Sequence, residues 1–88
     1  MWQVTDAVID AMSQMRDDNN AQADEGILLF FHPDGNLGIA LAKPGEEDQV
    51  FSRDGSPIVI IAADTVQTYE GVTLDLEEDE NGIRLHLY

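Results

Sequence analysis

Two histidines and two acidic runs are the residues of this chain best suited to chemistry. His32 and His86, joined by Asp34 or Asp75, are of the types that make a mixed imidazole–carboxylate metal site. They lie far apart in the sequence and form no spaced ligand motif. His32 stands before Pro33 at the end of an apolar run, and His86 falls on the polar side of an alternating segment, so both read as surface histidines. Glu46-Glu47-Asp48 and Glu77-Glu78-Asp79-Glu80 could attract a hard divalent cation. Neither run has the alternating ligands, central glycine and closing glutamate of a calcium loop. They read as solvated loops. Pro33-Asp34-Gly35-Asn36-Leu37-Gly38 lacks the Gly-Lys-Ser/Thr ending of a phosphate loop, and its negative charge opposes phosphate. No Gly-x-Ser-x-Gly occurs, and nothing marks a carboxylate pair tuned for acid–base work. No cysteine is present among the 88 residues, which excludes thiolate ligation, thiol catalysis and disulfides. The expectation is therefore no catalytic residue, no bound cofactor and no metal site.

The elements that would position these residues follow from periodicity. Thr5 can cap a helix over residues 5–17, with Asp6 in the first turn where the dipole favours an anion. Val8, Ala11, Met12 and Met15 recur at spacings of three and four and form its core face. Residues 17–25 are polar and read as a flexible connection. Ile27 to Phe31 is a continuous apolar run, suited to a strand covered on both faces. His32 to Asn36 is dense in turn formers. Leu37, Ile39 and Leu41 alternate with small residues as a second strand. Val50-Phe51 is a short strand, Arg53 to Ser56 a turn, and Ile58 to Ile61 another buried strand. Asp64 can cap one helical turn that ends at Gly71.

Val72, Leu74 and Leu76 alternate with polar residues, as do Ile83, Leu85 and Leu87. An acidic turn from Glu78 to Gly82 separates them, so the pair reads as a half-buried antiparallel hairpin. Facing Leu76 with Ile83 would place Asp75 opposite Arg84 and Thr73 opposite His86. A register slip by one residue would turn the apolar rows to opposite faces, which fixes the parity. Trp2 and Tyr88 are expected to pack over the core edge. The order is one helix, about six or seven short strands and one helical turn in a single domain over residues 1–88. That pattern is α+β, with the helix on a curled mixed or antiparallel sheet.

The same ordered series resembles the A-type iron–sulfur carriers, also called the HesB-like family. Val4-Thr5-Asp6-Ala7-Val8 resembles its opening helix, and Gly26 to Phe30 its first long strand. Glu46 to Gly55 resembles its acidic loop, short strand and Asp-Gly turn. Ile58-Val59-Ile60, Asp64 and Tyr69 to Asp75 resemble its next strand, short helix and Gly-x-x-Leu-Asp strand. Gly82-Ile83-Arg84-Leu85 resembles the strand after that. The resemblance implies a HesB-like fold. It also implies a scaffold that has lost its chemistry, because the family's carriers hold iron or a cluster with three cysteines. The first belongs in the turn that is here Pro33 to Gly38. The other two belong in a Cys-Gly-Cys tail, and this sequence ends at Tyr88 ahead of one.

Eighteen acidic residues against four basic ones give a formal charge of −14. That charge repels nucleic acid and anionic membranes and favours a basic partner. The expected function is a non-enzymatic binding or regulatory protein. It would recognise a basic protein surface through Glu46, Glu47, Asp48, Glu77, Glu78, Asp79 and Glu80. The alternative is a metal-handling accessory protein using histidine and carboxylate ligands. Repulsion favours a monomer, with a weak dimer as the second state. No apolar run reaches the roughly 20 residues that span a bilayer, and no signal sequence opens the chain. The expected location is the cytoplasm.

Overall fold

A computed structural model describes every residue except 33, 35 and 36, and the side chain of residue 83. Among the described residues, seven strands and two helices follow in the order β1 (Gln3–Val4), α1 (Asp6–Asp18), β2 (Gly26–Phe31), β3 (Leu37–Ala42), β4 (Gln49–Arg53), β5 (Ser56–Ile61), α2 (Ala63–Thr68), β6 (Thr73–Asp79) and β7 (Gly82–Leu87). The α+β class stands. The strands divide into two sheets, one ordered β1-β6-β7 and the other β3-β2-β5-β4. Each sheet contains one parallel pair, β1 with β6 and β2 with β5.

One apolar cluster draws on α1 and both sheets. It contains Trp2, Val8, Met12, Ile27, Leu29, Ile58, Val59, Ile61 and Leu74. Trp2 is 2% exposed and lies within the core, not over its edge, whereas Tyr88 is 68% exposed. The Gln49 amide holds Trp2 in place. It accepts from Trp2 N at 2.8 Å and donates to Trp2 O at 2.7 Å, and so ties the chain start to the four-stranded sheet. In β5, Val59 faces Phe51 and Pro57 faces Ser52, which leaves Ile58 as an extra residue. Such a bulge re-aims side chains. Ile58 and Val59 accordingly both join the core. In β2, Ile27 and Leu29 are buried while Leu28 and Phe30 are half-buried, so one face of the run is less covered than its composition suggests.

The helix ends carry the main local corrections. Thr5 is the N-cap of α1 by position, yet its side chain makes no cap bond. Its hydroxyl donates instead to Asp75 Oδ1 at 2.8 Å. At the other end Asn20 adopts φ 56°. Ala21 N reaches Arg16 O and Asn20 N reaches Asp17 O. These are the two bonds of a Schellman motif, with asparagine tolerating the left-handed position. Arg16, only 9% exposed, then donates Nε to Glu25 O at 2.7 Å and Nη2 to Gln22 O at 3.1 Å. Residues 19–25 are thus a bonded connection, because a charged fork supplies donors that no polar spacing pattern reveals.

Helix α2 starts at Ala63, one residue before the expected cap. Asp48, fifteen residues upstream, accepts the Ala63 amide at 3.1 Å. The Asp54-Gly55 turn has φ 54° and 82°, the left-handed pair that matches the twist of a two-residue hairpin. The β6–β7 hairpin also has a two-residue turn, since Asp79 pairs with Gly82. Leu76 therefore faces Leu85, and Ile83 faces Glu78, two residues away from the expected register. The parity is unchanged. The acidic run continues β6 because a tight turn at Glu80-Asn81 suffices to reverse the chain. The connection from β2 to β3 lies outside the described residues, apart from His32 and Asp34.

Candidate functional site

The two histidines are held by different sheets, His32 just after β2 and His86 within β7. His32 is exposed at the end of β2, with its ring edge-on to Phe30 at 5.0 Å. His86 stands on β7, where its Nε2 meets Glu77 Oε2 at 2.6 Å. Among the described residues, no group of three or more histidines, cysteines, aspartates or glutamates is placed to hold a metal ion.

His86 belongs to a diagonal ladder on one face of the β6–β7 hairpin. Arg84 lies opposite Glu77 but pairs with Asp79, at 3.6 Å. His86 lies opposite Asp75 but bonds Glu77. Tyr88 donates its hydroxyl to Asp75 Oδ2 at 2.5 Å. Arg84, His86 and Tyr88 thus each reach the acid one step further along β6. The expected Asp75–Arg84 pair is absent because the register differs by two. The Tyr88 hydroxyl bond, the Leu76 amide and the Thr5 hydroxyl, in that order, hold the Asp75 carboxyl below its usual value. The same hydrogen bond, which the Tyr88 hydroxyl donates, pushes the Tyr88 phenol up.

The seven acidic residues expected to face a partner do not form one surface. Glu46 and Glu47 are exposed between β3 and β4. Asp48 is half-buried, and its carboxylate is taken up by the amides of Gly45, at 2.9 Å, and Ala63. Glu77, Glu78 and Asp79 belong to β6, not to a loop, and Glu80 lies in the turn. Strand alternation divides them. Glu77 and Asp79 join the ladder, while Glu78 shares the face of Leu74 and Leu76.

That second face opens a groove that periodicity alone did not reveal. Along this face Leu74 is buried, Leu76 half-buried and Glu78 exposed. An open space of about 710 Å³ remains, lined on one side by Ala7, Asp10, Ala11, Gln14, Met15 and Asp18, and on the other by Leu76 and Glu78. Asp10, Gln14 and Asp18 follow the spacing of four that aligns residues along one flank of a helix. That signal was present in the sequence. Its juxtaposition with Glu78 depends on sheet packing.

No family model matches the sequence, and no curated protein matches it. Solved structures do. The crystal structure of IscA with a [2Fe–2S] cluster aligns with TM-score 0.64 and 21% identity, over 100% of this chain and 84% of that one. SufA of Escherichia coli, involved in biosynthesis of iron–sulfur clusters, aligns with TM-score 0.68 and 15% identity, over 99% and 83%. A protein of Aquifex aeolicus, solved in solution by NMR, aligns with TM-score 0.64 and 23% identity, over 99% and 89%. The chain has the fold of IscA and SufA, as its ordered resemblance to the HesB-like carriers implied, and it has that fold without a cysteine.

Proposed function

We propose that this protein is a non-enzymatic binding or regulatory member of the HesB-like family that recognises a protein partner with a basic surface. One observation carries the reading: the IscA fold extends over all 88 residues, and none of them is a cysteine. Iron–sulfur clusters are held chiefly by thiolates. A scaffold without them retains a shape that other proteins can recognise. The charge of −14 supports a basic partner, because complementary fields raise association rates and disfavour wrong partners. Glu46, Glu47 and Glu80 are exposed and lie outside the strands. Among the described residues, no helix is long and apolar enough to cross a membrane.

Two measurements test the proposal. Anaerobic incubation with ferrous iron and sulfide should leave no protein-bound cluster absorbance, and a stoichiometric cluster spectrum would refute it. Partners captured on the tagged protein should be lost between about 50 mM and about 500 mM salt, as the Debye length shrinks. The triple variant Glu46→Gln, Glu47→Gln, Glu80→Gln should weaken their capture at low salt. Retention of the same partners in both salts and by the variant would count against recognition by acidic residues.

A further inference from the structure

We infer that the groove between α1 and the far half of the β6–β7 hairpin docks a basic amphipathic helix of a partner protein. This rests on the reading of the protein as an acidic partner-binding domain, and it names the surface and the shape of the ligand. The floor of the groove is apolar and partly formed by small side chains. Ala7 and Ala11 leave room for a second backbone, and Met15 and Leu76 supply adaptable apolar surface. The floor follows α1 from Ala7 to Asp18, a length of about 17 Å, which matches about three turns of a helix laid alongside.

The rim selects charge. Asp10 and Asp18 stand on the α1 side and Glu78 on the β6 side. One guanidinium from the chain itself already uses this rim: Arg53 Nη2 lies 2.8 Å from Asp10 Oδ1. Both partners are substantially exposed, with side chains 40% and 69% accessible, so the pair is open to exchange. Asp17 and Asp18 add negative charge at the helix C-terminus, where the dipole is already negative and a cation is favoured. Such a groove is read by apolar anchors at i, i+3, i+4 and i+7, with lysine or arginine flanking them.

The probe is a synthetic peptide of about 14 residues, with leucine at those anchor positions and lysine or arginine elsewhere. Its control has the same composition with the periodicity scrambled. Amide chemical shifts of the full chain are followed at low salt. The patterned peptide should bind more tightly than the scrambled one and shift Ala7, Ala11, Met15 and Leu76. Asp18→Asn with Glu78→Gln should weaken it roughly fivefold, the scale of two surface pairs. Ala7→Met, at an exposed position, should block it while leaving the remaining shifts in place. Equal binding of the scrambled peptide would overturn the inference, as would unchanged affinity in both variants. Groove shifts that grow with protein concentration alone would replace the peptide with a second copy, and so overturn it too. Shifts confined to Glu46 and Glu47 would sink the groove and spare the acidic reading. Absence of salt-sensitive binding by either peptide would remove both.

Discussion

Asp75 gathers donors from three parts of the chain: the Thr5 hydroxyl before α1, the Leu76 amide beside it, and the Tyr88 hydroxyl after β7. The residue expected to cap a helix is thereby committed to a tertiary bond. Two opposite pH dependences follow. The folded Asp75 carboxyl titrates below its usual value of 3.8, so its contribution is present above that value and is lost as pH falls through the folded pKa. The folded Tyr88 phenol titrates above its usual 10.0, so its contribution is present below that value and is lost as pH rises through the folded pKa. Tyr88→Phe should therefore lower the melting temperature at neutral pH, and the deficit should narrow at both extremes. Phenolate absorbance in a Tyr69→Phe background should show Tyr88 titrating late, and Asp75→Asn should return it towards its ordinary value. A Tyr88 titration unmoved by Asp75→Asn would refute the bond.

At the scale of elements, the connection from α1 to β2 depends on Arg16. Its guanidinium binds Gln22 O and Glu25 O, while the Glu25 carboxylate accepts the Gln22 amide at 2.8 Å. The side chain is nearly buried and bonds carbonyls, not an acid, in a protein with acids to spare. Arg16→Met keeps the packed stem and removes the fork. It should cost about 2–3 kcal/mol, as for hydrogen bonds to a charged group. Arg16→Lys should recover only part, because an ammonium cannot reproduce the planar fork. Urea midpoints at unchanged m-value would measure this. A loss below about half a kcal/mol for Arg16→Met would show that the connection holds itself.

For the whole molecule, each of the four basic side chains is engaged. Arg16 binds carbonyl oxygens, and Lys43, Arg53 and Arg84 pair with Asp24, Asp10 and Asp79. Acidic residues outnumber basic ones by eighteen to four, so self-repulsion opposes the compact state. Screening should relieve more repulsion than it loses in attraction, because exposed pairs are worth about 0–1 kcal/mol each. The melting temperature should rise as sodium chloride goes from about 50 mM to about 500 mM. A fall would mean that the surface pairs outweigh the net charge.

The α+β class, the apolar face of α1, the Asp-Gly turn, the parity of the last hairpin and the exclusion of thiolate ligands are legible in the amino-acid order alone. These depend on local periodicity, turn preference and composition, which need no knowledge of distant neighbours. Tertiary structure decided which residues meet. Asp48 came to cap α2, Thr5 turned to Asp75, Gln49 clasped Trp2, and the seven strands divided into two sheets. It also split the acidic run at residues 77–80 between two faces, and brought Glu78 to the groove beside Asp10 and Asp18. Long-range hydrogen bonds and the gap between a hairpin and the helix beside it leave no periodic trace in the chain. The cysteine-free composition is a fact of sequence, but which acidic side chains border an apolar groove is a fact of packing.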